Sequence, residues 1–100
     1  MSVAIAIDRV KIADFCRRWR VVELSLFGSV LRGDFSGDSD VDVLVSFSPQ
    51  APWSAFDLVE MREELEILFA RPVDLVERAA LRNPFRREAI LRGREVVYAA

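Results

Sequence analysis

The segment VDVLVSF, residues 41–47, limits the fold of this chain more than any other stretch. Its alternating and β-branched apolar residues predict a strand that must be buried. Four aspartates nevertheless fall within the nine positions 34–42, at the start of that strand. Carboxylates beside a buried strand are costly unless they face solvent or a metal ion. This end of the strand is therefore the first place to look for function.

The periodicity of the remaining chain predicts helices alternating with short strands. The helices are predicted from the N-cap Asp8 to about Arg18, from the capping pair Ser54 and Asp57 to about Ala70, and from Asn83–Pro84 to about Leu91. The strands are predicted at 23–27, 41–47 and 71–77, with a short helical turn at 29–31 after Gly28. The stretch EVVY, after Gly93, is a candidate short terminal strand.

The connection between the strands at 41–47 and 71–77 contains a predicted helix, as a parallel crossover requires. Both strands are therefore expected to start at the same end of one sheet. We predict an α/β fold, in the broader α+β sense, with a mixed three-stranded sheet packed with helices. At 100 residues, the chain is expected to form one small domain spanning residues 1–100.

The composition excludes several chemistries. There is no histidine and only one cysteine, Cys16, so histidine-based triads, histidine-ligated zinc sites and sulfur clusters are ruled out. A net charge of −2 argues against direct nucleic-acid binding. Residues 71–100 nevertheless contain seven arginines and four acids, and these arginines could bind nucleotide phosphates or an acidic partner. The apolar runs are too short for a membrane span or a secretory signal, so we expect a cytoplasmic protein.

Three carboxylates are predicted to converge. Asp40 and Asp42 flank Val41 and point to the same face about 7 Å apart, a spacing at which they can share a divalent ion such as magnesium. Asp74 lies in the apolar run PVDLV, and the parallel crossover brings it to the same end of the sheet. Gly28 and Ser29, at a strand-to-helix turn, offer amides and a hydroxyl to a phosphate. Together these residues predict metal-assisted phosphoryl or nucleotidyl transfer.

The stretch GSVLRGDFSGDSDVDVLV carries a family resemblance. Gly28-Ser29, ten intervening residues and Asp40-Val41-Asp42 resemble the motif of the DNA polymerase β-like nucleotidyltransferase superfamily. The small chain is similar to the minimal nucleotidyltransferases (MNT), especially to the antitoxins of HEPN/MNT toxin–antitoxin pairs. RPVDLVE supplies the third acid, so the resemblance covers nearly the whole chain and implies a polymerase β palm-like fold.

This resemblance implies a nucleotidyltransferase that uses two magnesium ions, with manganese as an alternative. Its catalytic residues and metal ligands would be Asp40, Asp42 and Asp74. Its nucleotide-binding residues would be Gly28, Ser29 and Arg32, the last helping to neutralise the departing pyrophosphate. Asp74 would complete the site of the ion that activates the acceptor hydroxyl and could accept its proton.

The antitoxin relatives imply a particular reaction. It moves AMP from ATP to a tyrosine hydroxyl of a HEPN-type toxin encoded nearby, so the chain would be the antitoxin of a type VII-like pair and could form a hetero-oligomer with its toxin. Two alternatives stay open: a nucleotidyltransferase acting on a small molecule or an RNA end, and an antitoxin that inhibits its partner by binding alone. The sequence leaves open the acceptor, the nucleobase, the oligomeric state and the role of Arg32.

Overall fold

The computed structural model describes residues 5–32 and 39–100. Two aspartates that the sequence places in the turn before the second strand, Asp34 and Asp38, lie outside this range. Within it, the helices are α1 (Arg9–Arg18), α2 (Ala55–Phe69) and α3 (Pro84–Arg92), and the strands are β1 (Val21–Phe27), β2 (Val41–Phe47), β3 (Val73–Glu77) and β4 (Glu95–Ala99). Short 3-10 turns follow β1 at Gly28–Leu31 and β3 at Arg78–Ala80.

The helix ends follow the capping chemistry of the sequence. The Asp8 side chain accepts a hydrogen bond from Lys11 N at the start of α1, and Asn83 accepts from the backbone at the start of α3. Ser54 and Asp57 form a reciprocal capping box at the start of α2. Each cap satisfies backbone amides that the first helical turn leaves without partners. The predicted starts of all three helices are confirmed.

The sheet has four strands in the order β3-β2-β1-β4. β2 and β3 are parallel, while β1 is antiparallel to both β2 and β4. The mixed sheet and its parallel crossover through α2 are therefore confirmed, but the prediction of three strands is wrong. The fourth strand is the EVVY stretch, which pairs with β1 at the edge of the sheet and buries little except Val97. An edge strand with one buried residue gives only a weak sequence pattern.

The sheet is covered by helices on both faces. One face meets α1 and α2 in a core whose strand residues alternate along the sheet: Leu24, Leu26, Val41, Val43 and Val45. On the other face a smaller cluster joins Leu44 to Leu81 and Ile90, so α3 is held against that side. Because strand side chains alternate between faces, Asp42, two residues before Leu44, lies on the α3 side of the sheet. None of the helices in the described part of the chain is long and apolar enough to cross a membrane.

We predict that Leu44→Ala lowers the free energy of unfolding by about 3 kcal/mol, since Leu44 is 2% exposed and its loss leaves a cavity between β2 and α3. Ile67→Ala is the matched control, because Ile67 is 81% exposed and its truncation should change stability by less than about 0.5 kcal/mol. Urea denaturation of both variants measures the difference. Equal losses would contradict the assignment of Leu44 to a packed α3 interface.

Candidate active site

Parallel pairing of β2 and β3 sets two of the predicted acids side by side. Asp42 and Asp74 are direct register partners, and Val41 N donates a hydrogen bond of 2.9 Å to Pro72 O at the start of the pair. Asp40 stands immediately before β2 and is exposed, as is Asp74. The prediction that both strand starts fall at one end of the sheet is confirmed, and all three carboxylates lie there.

Gly28 brings the turn after β1 into direct contact with this acidic end. Phe27 pairs with Asp42 across the β1–β2 ladder, and Gly28 follows with a φ of +75°. A Cβ at position 28 would overlap Asp42 Oδ2 and lie 3.2 Å from Asp42 Cγ. Glycine is therefore required twice at this position, once for the left-handed backbone and once to make room for the carboxylate. Its predicted role in approaching a phosphate is a separate requirement.

The turn Gly28–Leu31 is anchored by Val30, which is 1% exposed. Ser29 is half-buried beside it, and Arg32 closes the turn through a 3.0 Å hydrogen bond from its backbone N to Ser29 O. The Arg32 side chain is exposed at the end of the turn. The sequence-predicted nucleotide-binding residues, Gly28, Ser29 and Arg32, thus lie in one turn that touches the acids.

The charges at this end raise the pKa of Asp42 above its ordinary value. Partial burial of the carboxylate is the largest cause, and repulsion from Asp74 and then from Asp40 adds to it. Two arginines act in the opposite direction: Arg32 and, in α3, Arg86. The ionised form of Asp42 is therefore destabilised by its acidic neighbours, and a bound cation would stabilise it.

The donor set fits a hard divalent cation, because Asp40, Asp42 and Asp74 offer only carboxylate oxygens. Within residues 5–32 and 39–100, no three acidic, histidine or cysteine side chains are drawn together closely enough to hold a metal ion as placed. Asp40 and Asp74 are exposed, so their side chains can reorient without disturbing the core. The repulsion at Asp42 is the observation that supports the fit, since a shared cation would remove it.

A cleft of about 400 Å³ opens between the Gly28–Leu31 turn and α3. It is lined on one side by Phe27, Gly28, Leu31 and Arg32 and on the other by Ala89, Ile90 and Gly93. The position of α3 at the border of the site and the effect of Arg86 on the pKa of Asp42 are not predicted from the sequence. Helical spacing gave a usable signal, because Arg86 precedes the buried Ile90 by one turn, but the surface against which Ile90 packs is visible only in the fold.

We predict that Gly28→Ala lowers the free energy of unfolding by at least about 1 kcal/mol, the cost of a left-handed backbone at a non-glycine residue, with a further loss from the overlap with Asp42. Gly93→Ala is the control, since its φ is −99° and a Cβ there would meet only Ala89 O, at 3.4 Å. In an Asp42→Ala background the further loss should disappear and the backbone loss remain. A double-mutant cycle by urea denaturation without metal measures both parts, and strict additivity would contradict the contact.

We predict that Asp42→Asn raises the Tm of the metal-free protein, and raises it more at pH 7 than at pH 4. Because the folded-state pKa of Asp42 lies above the ordinary value of 3.8, its ionisation penalises the fold, and stability is lost as pH rises through the folded-state pKa. Asparagine removes that ionisation. Thermal denaturation in a chelating buffer tests this against Asp14→Asn, which breaks an exposed pair with Arg18 and should not raise the Tm. A lower Tm for Asp42→Asn at both pH values would overturn the electrostatic account.

Comparison with known proteins places this geometry in a family. Residues 9–97 match the family model of the nucleotidyltransferase domain. The protein adenylyltransferase MntA of Thermococcus cleftensis is 41% identical over 81 residues, which cover 81% of this chain and 77% of that protein. The match to the family model extends across the Gly-Ser turn, the acidic strand pair and α3.

Solved structures share the fold. A structure assigned provisionally as a minimal nucleotidyltransferase superposes with a TM-score of 0.72 at 34% identity, covering 87% of this chain and 86% of that one. A toxin–antitoxin crystal structure with AMP-PNP superposes with a TM-score of 0.75 at 19% identity, covering 94% of this chain and 75% of that one. The predicted resemblance to minimal nucleotidyltransferases is confirmed, and this chain belongs to the nucleotidyltransferase domain family.

Proposed function

We propose that this protein is the antitoxin of a type VII-like HEPN/MNT pair and that it transfers AMP from ATP to a tyrosine hydroxyl of its partner toxin, releasing pyrophosphate. The observation on which the proposal chiefly rests is the pairing of Asp42 with Asp74 beside Gly28, which places an acidic pair against the Gly-Ser turn. The likeness to the Thermococcus adenylyltransferase supports protein adenylylation within the family.

The turn after β1 holds the outer phosphates in this proposal. The backbone amides at Gly28 and Ser29 and the Ser29 hydroxyl donate hydrogen bonds to the β- and γ-phosphates, as glycine turns at strand-to-helix junctions commonly do. Arg32, at the end of the same turn, neutralises the charge that accumulates on pyrophosphate as it leaves. These three residues fix the nucleotide so that its α-phosphate lies over the acids.

The three acids would bind the metal ions, and one of them accepts the proton of the acceptor hydroxyl. Asp40, Asp42 and Asp74 are the proposed ligands, for two magnesium ions with manganese as a substitute. Divalent metal at such a site polarises the phosphoryl oxygens and lowers the pKa of the acceptor hydroxyl. Asp74 is exposed on the edge strand β3, where a group arriving from outside can reach it, and it takes the proton from that hydroxyl.

The transfer is an in-line displacement. The tyrosine oxygen forms a bond to the α-phosphorus, the bond between that phosphorus and the oxygen bridging to the β-phosphate breaks, and pyrophosphate carries away the electron pair. The tyrosine proton goes to Asp74. The products are AMP-tyrosine and pyrophosphate, so atoms and charge balance without another reactant.

The exposure of the acids favours a protein acceptor. Asp40 and Asp74 face solvent, and β3 is an edge strand, so a hydroxyl on another protein can reach them from outside the sheet. A structural relative at 17% identity is described as a tri-AMPylated Shewanella oneidensis HEPN toxin in complex with an MNT antitoxin, which supports the same acceptor class for this chain. We place the reaction in the cytoplasm and assign it to one domain spanning residues 1–100.

Label transfer from ATP tests the proposal. ATP labelled on the α-phosphate in one reaction and on the γ-phosphate in another is incubated with this protein and the toxin encoded beside it, with and without magnesium. We expect magnesium-dependent transfer of the α label alone, because the γ-phosphate leaves in pyrophosphate. Transfer of the γ label would indicate phosphorylation and contradict the mechanism. A tight complex without transfer of either label would favour inhibition by binding.

Asp40→Asn combined with Asp42→Asn should abolish α-label transfer while the protein stays folded, because the variant loses the metal ligands and also the repulsion at Asp42. Asp14→Asn serves as the control and should transfer normally. The toxin is titrated against each protein, since an enzyme silences an excess of toxin whereas a blocker must match it mole for mole. Full silencing of excess toxin by the double variant would refute neutralisation by catalysis.

A further inference from the structure

A cavity of about 430 Å³ lies at the end of the sheet opposite the acids. Ser46 borders it and lies four residues after Asp42 on β2, about 13 Å along the strand. On β3 its border begins at Glu77, the register partner of Val45. The cavity therefore lies at the carboxyl ends of the parallel strands, where open sheets commonly bind ligands. Among the described residues, it shares no lining residue with the cleft beside the Gly28–Leu31 turn.

Two arginines give the wall of this cavity its positive charge. Arg78 comes from the 3-10 turn after β3 and Arg87 from α3, so they approach the cavity from different elements. Glu77 also borders the cavity, but strand alternation places its side chain on the same face of β3 as Leu75, which packs against the α1 and α2 core. On that face Glu77 borders a second cleft with Arg62. Its carboxylate therefore extends toward α2, on the other face of the sheet from α3.

Both guanidinium groups are available to a ligand. Arg87 is exposed and has no ion pair among the residues that the structure describes. Arg78 Nη1 lies 3.9 Å from Glu23 Oε1, while Arg94 Nη2 lies 3.3 Å from the same oxygen. Glu23 therefore keeps its closer partner when Arg78 turns to a ligand. A partly exposed ion pair as long as that of Arg78 contributes little to stability, so little is lost when it opens.

The wall of the cavity also combines hydroxyl groups with aromatic residues. Ser46 and Ser48 are half-buried on its β2 side, and Phe47 and Trp53 line it as well. Two contacts hold Trp53 in place. Its indole Nε1 donates a hydrogen bond of 2.7 Å to Trp19 O, and the two indole rings pack edge to face with centroids 5.0 Å apart. Because this aromatic side chain is fixed before a ligand arrives, binding against it loses little conformational entropy.

We propose that this cavity binds a small organic phosphate that carries an aromatic ring, a ligand of the class of the nucleoside monophosphates. Arg78 and Arg87 bind the phosphate through paired N–H groups. The hydroxyls of Ser46 and Ser48 donate hydrogen bonds to it, and the aromatic ring packs against Trp53. The volume of about 430 Å³ is within the range of small-molecule sites. This site is distinct from the turn that holds the triphosphate in the proposed reaction, and it does not depend on that reaction.

An NMR titration with AMP tests the inference. AMP is added without metal and with a chelator, so that no complex of metal and nucleotide forms at the acids. We expect it to shift the amide signals of residues 46–48 and 77–79, which border the cavity. Adenosine lacks the phosphate and should therefore bind more weakly than AMP.

Arg87→Gln should weaken the binding of AMP about tenfold, through the loss of one charge-assisted contact, and should change the binding of adenosine less than about twofold. Arg82→Gln is the matched control. Arg82 is exposed and has no ion pair with a described residue, as is true of Arg87, but it does not border the cavity. Its variant should bind AMP within about twofold of the wild type. Arg87→Lys should recover part of the loss by restoring the charge without the planar fork.

Three results would overturn the inference. The first is a set of shifts confined to residues 28–32, which would place AMP at the Gly-Ser turn. The second is the absence of shifts up to about 10 mM AMP, a concentration that occupies even a weak site. The third is an equal loss in Arg82→Gln and Arg87→Gln, which would indicate a general effect of positive charge. Because the titration contains no toxin, ATP or metal, its result does not depend on whether the protein transfers AMP.

Discussion

The parallel hydrogen bonding between β2 and β3 is the constraint on which the site depends. It places Asp42 opposite Asp74, and the paired backbones hold the two residues at that separation. The pairing exists because α2 crosses from the end of β2 to the start of β3, and a hydrogen bond from Val73 N to Glu66 Oε2, at 2.9 Å, ties the end of that crossover to the strand. The repulsion between the acids is thus imposed by the fold, and side-chain motion can only reduce it in part.

The antiparallel neighbour of β2 adds a second constraint. β1 ends directly beside Asp42, so the turn that follows must pass close to a carboxylate that is already crowded by charge. Glycine at position 28 allows that passage with a left-handed backbone and no side chain. The Gly-Ser motif and the Asp-x-Asp motif are therefore joined by direct contact between Gly28 and Asp42. The glycine at the end of β1 and the aspartate at the start of β2 therefore explain each other, because the carboxylate needs the space that glycine leaves.

Much of this arrangement follows from local sequence signals. The three helix starts could be predicted because Asp8, Ser54 and Asn83 satisfy backbone amides within a few residues. The convergence of Asp74 on Asp42 could be predicted because a helical crossover fixes the direction of the next strand. What the sequence did not reveal depends on contacts between distant segments. The predicted sheet lacked β4 because the sequence pattern of this strand is weak, and its pairing with β1 is visible only in the fold. The effect of Arg86 on Asp42 was not predicted because it depends on α3 lying across the sheet.

The charge arrangement favours a cation and an anion that bind together. Asp74 and Asp40 both repel the Asp42 carboxylate, while Arg32 and Arg86 offset part of that repulsion. An anion bound to the arginines alone would neutralise their positive charge and so increase the net repulsion at the acids. A metal ion bound to the acids alone would add positive charge beside two guanidinium groups. A complex of a divalent metal with a polyphosphate meets both sets of charges at once, so each component should bind more tightly when the other is present.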